Sequence, residues 1–238
     1  MRWWKRLSSW SDIVGVREDD RQRKAYEKAW EAGLRSAMKG KGWRKYWSSI
    51  SRRDGSWFIC AECVLLWPTR RLKFLLQAKP MTLDPLLWKI IGAQGNEAKP
   101  LSFRKWGAFT CEAPTFAEKI VECGAAEQMA VDFVQFATSG RSSILRQLPL
   151  KPFSTTLEAM KDPVGMLSTT RVLSLLDEEK YDGAMSFLTS NFSKGVSINV
   201  VRPDAHGHRK ATSFFDLAHD YALSLKGRAV AETAGIAG

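Results

Sequence analysis

A chain of 238 residues with 45% hydrophobic and 26% charged residues has room for one large domain or two small ones and enough apolar material for a core. With 17 Gly, 9 Pro and no low-complexity tract, it is not collagen-like, coiled-coil or broadly disordered. No apolar run approaches the roughly 18 residues of a membrane span, and Met1 to Asp12 lacks the continuous apolar stretch of a signal peptide. Four cysteines in so long a chain read as reduced thiols, and a cytoplasmic protein is expected.

The net charge of +11 is unevenly placed. Residues 1–110 carry 23 Lys and Arg against 10 Asp and Glu, whereas residues 111–238 carry 13 against 15. All ten tryptophans, from Trp3 to Trp106, lie in the basic half. Such asymmetry implies attraction to an acidic partner and says nothing about fold.

In chain order, residues 21–39 place Tyr26, Trp30, Leu34, Ala37 and Met38 on one helical stripe, and Gly40 and Gly42 end the helix. Asp54-Gly55 sits between two β-rich runs, Tyr46–Arg52 and Ser56–Trp67, as in a hairpin. A third run alternates, with Leu72, Phe74, Leu76 and Ala78 on one face and Arg71, Lys73, Gln77 and Lys79 on the other. A three-strand meander with one wet, basic face is therefore expected. Leu83–Ile91 reads as a short helix and Leu101–Thr110 as a further strand. Phe116, Ile120, Met129, Phe133 and Phe136 mark one long helix or two around Gly124, closed by Ser139-Gly140.

Val172, Leu173 and Leu176, then Tyr181, Ala184, Met185, Leu188 and Phe192, describe a helical hairpin. Val196–Val201 is a strand or an extended connection. Ser213-Phe-Phe-Asp216 has the form of a capping box opening a last helix, with a frayed tail from Gly227. The fold class expected is α+β: an N-terminal helix and an antiparallel meander sheet with helices, then a mainly helical C-terminal part. Its parts are a basic, aromatic segment (1–20), an α+β domain (21–140), a connection (141–152), a helical subdomain (153–226) and a flexible tail (227–238).

The order helix, Gly42-Trp43-Arg44-Lys45, strand, Arg53-Asp54-Gly55-Ser56-Trp57 turn and meander, then a short helix and strand, resembles small uncharacterised bacterial α+β domains. Some of these occur as immunity proteins beside polymorphic toxins. The resemblance covers roughly residues 21–137, rests on pattern, and carries no catalytic residues; it implies a binding protein. Residues 175–185 resemble a single tetratricopeptide-type helix pair, though one copy makes no solenoid and an ordinary antiparallel pair in an α+β domain is the better account.

Cys60-Ala-Glu-Cys63 has the spacing of a redox or zinc motif, but on one strand a separation of three sends the sulfurs to opposite faces. His206 and His208, with Asp204 and His219, are weak metal candidates, and a solvated loop explains them as well. Lys39-Gly-Lys-Gly-Trp-Arg-Lys45 follows a helix and lacks the helix N-terminus of a phosphate loop. Glu178-Glu179 and Asp19-Asp20 lie in solvated segments without the apolar context of acid–base pairs. No nucleophile elbow, P-loop, dinucleotide fingerprint or zincin helix is present.

The expectation is thus a non-enzymatic, cofactor-free protein that binds an acidic protein, such as a toxin. Its candidate surface is the basic face of Arg52, Arg53, Arg71, Lys73, Lys79, Arg104 and Lys105. The alternative is sequence-tolerant nucleic-acid binding, because Trp and Arg interleave at 2–6, 43–47 and 104–106. Trp3, Trp4 and Trp10 also suggest a weak membrane-surface anchor.

Overall fold

A computed structural model describes residues 10–162, 165–191, 199–203 and 209–233. The chain opens with helix α1, Trp10–Ala37. It begins eleven residues before the expected start at residue 21, and Glu18–Arg21, Asp20–Arg23 and Asp20–Lys24 pair at helical spacing along its exposed side there,. Trp30 and Leu34 are buried on it and Met38 just past its end, and Gly40 and Gly42, both at positive φ, turn the chain out of it.

Strands β1 (Arg44–Tyr46), β2 (Ser49–Asp54), β3 (Trp57–Leu66) and β4 (Arg71–Pro80) follow as a meander. The run expected as one strand, 46–52, is divided by a tight turn at Trp47-Ser48, with Trp47 left-handed at φ 52°. The Asp54-Gly55 hairpin forms as expected: Asp54 faces Trp57 and Gly55 has φ 56°.

Next come α2 (Leu83–Ile91) and a single helical turn, α3 (Phe103–Trp106). The strand expected over Leu101–Thr110 is not formed. Successive turn bonds from Phe103 N to Pro100 O, Arg104 N to Leu101 O and Lys105 N to Ser102 O coil this segment, and Phe103 packs against Trp88. The strand lies instead at β5 (Thr115–Glu122), where a helix was expected. β5 pairs antiparallel with β4, Arg71 opposite Glu122 and Leu75 opposite Glu118, giving a five-stranded sheet ordered β1-β2-β3-β4-β5.

Helix α4, Ala126–Gln147, runs beside α1 across one face of this sheet, where Phe133, Val134 and Ala137 meet Phe74 and Leu76. Ser139-Gly140 does not end it. Gly140 allows a close approach, since a Cβ there would lie 2.4 Å from Leu76 Cδ2, and Arg141 one residue on clamps Asp54 through two 2.6 Å bonds.

The remainder is α5 (Phe153–Glu158), α6 (Ser168–Asp177), α7 (Tyr181–Asn191), a separate two-stranded hairpin of β6 (Asn199–Pro203) and β7 (Arg209–Ser213), and α8 (Phe214–Thr233). The expected helical hairpin is α6–α7. Of the segment 196–201, expected as a strand or an extended connection, residues 196–198 lie outside the described residues and 199–201 are in β6. Ser213 Oγ accepts from Phe215 N at the start of α8, which continues past Gly227, where fraying was expected. Packing of α6 and α8 against α2 joins these helices to the sheet in one apolar cluster running from Trp30 to Ala222.

Candidate functional site

The corner of the sheet at β1 and β2 gathers cations. Arg44 faces Ser51 and Tyr46 faces Ser49 across the β1–β2 ladder, so by strand alternation Arg44, Tyr46, Ser49, Ser51 and Arg53 share one face. Helix α3 lies over this face, as shown by Trp106 Nε1, which donates to Ser49 Oγ at 2.9 Å. Between strand and helix lies a cleft of about 410 Å³ bounded by Arg44, Arg52, Arg53, Lys99 and Arg104, with Glu97 its single carboxylate.

Its arginines are held to different degrees. Arg104 is mostly buried; its Nη1 donates to Met81 O at 2.9 Å and to Asp84 Oδ2 at 3.3 Å, and its guanidinium lies 5.4 Å from the Trp88 ring centre. Arg52 donates from Nη1 to Lys41 O at 3.1 Å and sits 5.7 Å over Trp43. Its Nε lies 2.8 Å from Asp54 Oδ2 as a charge contact outside hydrogen-bond geometry. Gly42 makes room for it, because a Cβ at that position would come within 3.3 Å of Arg52 Nη1. Arg53 donates from Nε to Gly55 O, while Arg44 and Lys99 are exposed.

Beneath the cleft is a buried polar cluster. Lys79 Nζ donates to Asp84 Oδ1 at 2.8 Å, to Arg104 O at 2.8 Å and to Cys111 O at 2.6 Å, and both side chains of the Lys79–Asp84 pair are fully inaccessible. Burial pushes the Cys111 thiol up to about 12. The cluster is a structural tie that fixes Arg104 from behind.

Beside the cleft stand the exposed aromatic rings: Tyr46 (39% exposed), Trp47 (66%) and Trp106 (37%). Tyr46 and Trp47 stack at 5.2 Å and 20°, and Trp106 is 5.6 Å from Trp47. A left-handed, non-glycine Trp47 costs conformational energy, which the turn expends in holding an indole in solvent.

No family model, curated protein or solved structure matches this chain.

The structure divides the seven basic residues expected on one wet face. Arg52, Arg53 and Arg104 meet at the cleft. Arg71 and Lys73 lie at the opposite end of the sheet, paired with Glu122 at 2.8 Å and Glu118 at 2.9 Å; β5 supplies these carboxylates, which a meander ending at β4 lacks. Lys79 is buried rather than wet, because α2, α3 and the chain around Cys111 cover that end of β4. Lys105 is largely buried too, bonded to Gln77 and paired with Glu62. Burial alone would lower its pKa, but the Glu112 and Glu62 charges outweigh burial and raise it. Arg44 and Lys99 were missed as site residues; alternation along Arg44-Lys45-Tyr46 was the available signal for Arg44.

Cys60 and Cys63 lie on β3 facing Gln77 and Phe74 of β4. Both are buried and unpaired, and burial pushes the Cys60 thiol up to about 12 and raises that of Cys63 as well. His206 and His208 lie outside the described residues. His219 is on α8, 3.8 Å from Asp220, and among the described residues no group of three or more His, Cys, Asp or Glu is placed to hold a metal. Among these residues, no helix is long and apolar enough to cross a membrane.

Proposed function

We propose that this is a non-enzymatic binding protein that engages an acidic surface of a protein partner through the arginine cleft, in the manner of an immunity or inhibitor protein acting on a toxin. The observation that carries this reading is the imbalance at one corner: Arg44, Arg53 and Lys99, which make no ion pair among the described residues, stand with Arg52 and Arg104, held by Asp54 and Asp84, around a cleft whose lining carboxylate is Glu97. Elsewhere on the sheet Arg71 and Lys73 are matched by carboxylates, and Lys119 of β5 is an exposed cation without an ion pair among the described residues. Uncompensated charge of this kind steers association and selects complementary partners, and Arg, Tyr and Trp are the residues that anchor interfaces. The test is co-expression with a candidate toxin encoded beside the gene. A complex stable at physiological ionic strength is expected, weakened about tenfold or more by the Arg44→Glu/Arg53→Glu double variant. Undiminished binding and protection by a folded double variant would exclude the cleft as the working surface.

The Tyr46–Trp47–Trp106 ledge favours a second reading, single-stranded nucleic acid, whose bases stack on such rings while arginines take the phosphates. That reading requires quenching of tryptophan fluorescence by oligothymidylate, with affinity falling steeply as salt rises.

A further inference from the structure

We propose that the cleft is a phosphate-monoester site, so that the acidic feature it takes from a protein partner is a phosphorylated side chain. This rests on the reading of the cleft as the partner-binding surface.

The first ground is the supply of free donors. Arg104 commits only Nη1, to Met81 O and Asp84 Oδ2, and Arg53 commits only Nε, to Gly55 O. Nε and Nη2 of Arg104, both terminal nitrogens of Arg53, and the side chains of Arg44 and Lys99 make no hydrogen bond among the described residues. A carboxylate brings one charge and two oxygens to such a cluster. A phosphate monoester brings a charge of about −1.5 to −2 and three strong acceptor oxygens, and planar guanidinium forks match it bidentately.

The second ground is preorganisation. Arg104 is fixed by Asp84, Met81 and Trp88, and Arg52 by Asp54, Lys41 and Trp43. The ordering of two long side chains is already met before a ligand arrives. The third ground is compactness. With Arg71 and Lys73 neutralised by β5 and Lys79 buried, the cleft cations form a compact spot; Lys119 of β5 stands apart from it, and the two do not make a track along the sheet. A single spot suits one isolated phosphate better than a chain of phosphodiesters. The exposed ring of Tyr46 stands on the same face two residues from Arg44, about 6.6 Å along the strand, and leaves a place for an aryl group attached to that phosphate.

Calorimetric titration of the full chain at fixed ionic strength tests this, with phenyl phosphate as probe, benzoate as its carboxylate counterpart and oligothymidylate as the polyanion. Phenyl phosphate is expected to bind at least about tenfold more tightly than benzoate. Arg44→Glu/Arg53→Glu should abolish that binding at unchanged melting temperature, Arg104→Lys should weaken it, and Arg71→Glu should leave it intact. Equal affinity for phenyl phosphate and benzoate would overturn the proposal. So would tighter binding of oligothymidylate that grows with its length, which would instead support the nucleic-acid reading. If phenyl phosphate fails while a protein complex still depends on Arg44 and Arg53, the monoester site falls and the protein-binding reading stands. Phenyl phosphate binding with no such protein complex would separate the two the other way.

Discussion

Asp84 is the residue on which cleft and core both depend. One oxygen accepts from Lys79 Nζ and from Cys111 N at 3.1 Å, and the other faces Arg104. Removing it leaves the Lys79 ammonium uncompensated in a site with no access to water. Asp84→Ala should cost about 3–5 kcal/mol of stability, read as a shift in the urea midpoint. A Lys79→Met/Asp84→Leu double variant should lie closer to the parent than either single loss, since a buried pair replaced whole by apolar groups costs little. In sequence, Lys79 fits the alternation of a wet face, and no local pattern shows that a carboxylate five residues later folds back over it. The one available signal was Asp84 itself, an acid at the head of a helix whose other residues, Lys89 apart, are apolar.

Two elements are fastened by carboxylates that acid would release. Asp54, at the end of β2, is raised by burial, but hydrogen bonds from Arg141 of α4 and the charge of Arg52 outweigh this and hold it below its ordinary value of 3.8. Glu178, just past α6, is likewise raised by burial, then brought below 4.5 by hydrogen bonds from Lys180 and Ser154; it accepts Ser154 N in the first turn of α5 at 2.8 Å. Groups with lowered folded pKa values add stability that is complete above their ordinary values and is lost as pH falls through the folded ones. The melting temperature should accordingly hold from about pH 6 to about pH 5 and fall towards about pH 2, and Asp54→Asn should flatten part of that fall. Elements with one well-buried face were legible from periodicity, as with α2 and the β2–β3 hairpin. β5 was not, because an edge strand buries little: Ile120 is 52% exposed, and Phe116 and Ile120, four apart, fit a helical stripe equally well.

At the scale of the molecule, the C-terminal helices complete the same core as the sheet. Leu173 and Leu176 of α6 and Phe214 and Ala218 of α8 belong to the cluster that holds Leu87 and Trp88 of α2. Thr82 bonds Asp177, Thr170 Oγ1 bonds Glu112 O, and Trp57 meets Phe153 edge-on at 5.5 Å. Residues 151–238 expressed alone would expose this surface and should give a poorly ordered helical fragment without a cooperative transition. A sharp unfolding transition with dispersed amide signals would show an autonomous domain. The basic and acidic halves were visible in composition, but which cations stay uncompensated depends on strand partners that composition does not reveal.

The order of the sheet also sets a timetable for a chain made from its N-terminus. β3 and β4 are complete at Pro80, whereas the strand that covers the outer edge of β4 ends at Glu122, after α2 and α3. At about 5–20 residues per second of synthesis, the bare edge waits some 2–8 s. Through that interval the apolar row Leu72, Phe74, Leu76 also lacks α4, and the nascent chain is most open to chaperone capture or to pairing with a neighbouring copy.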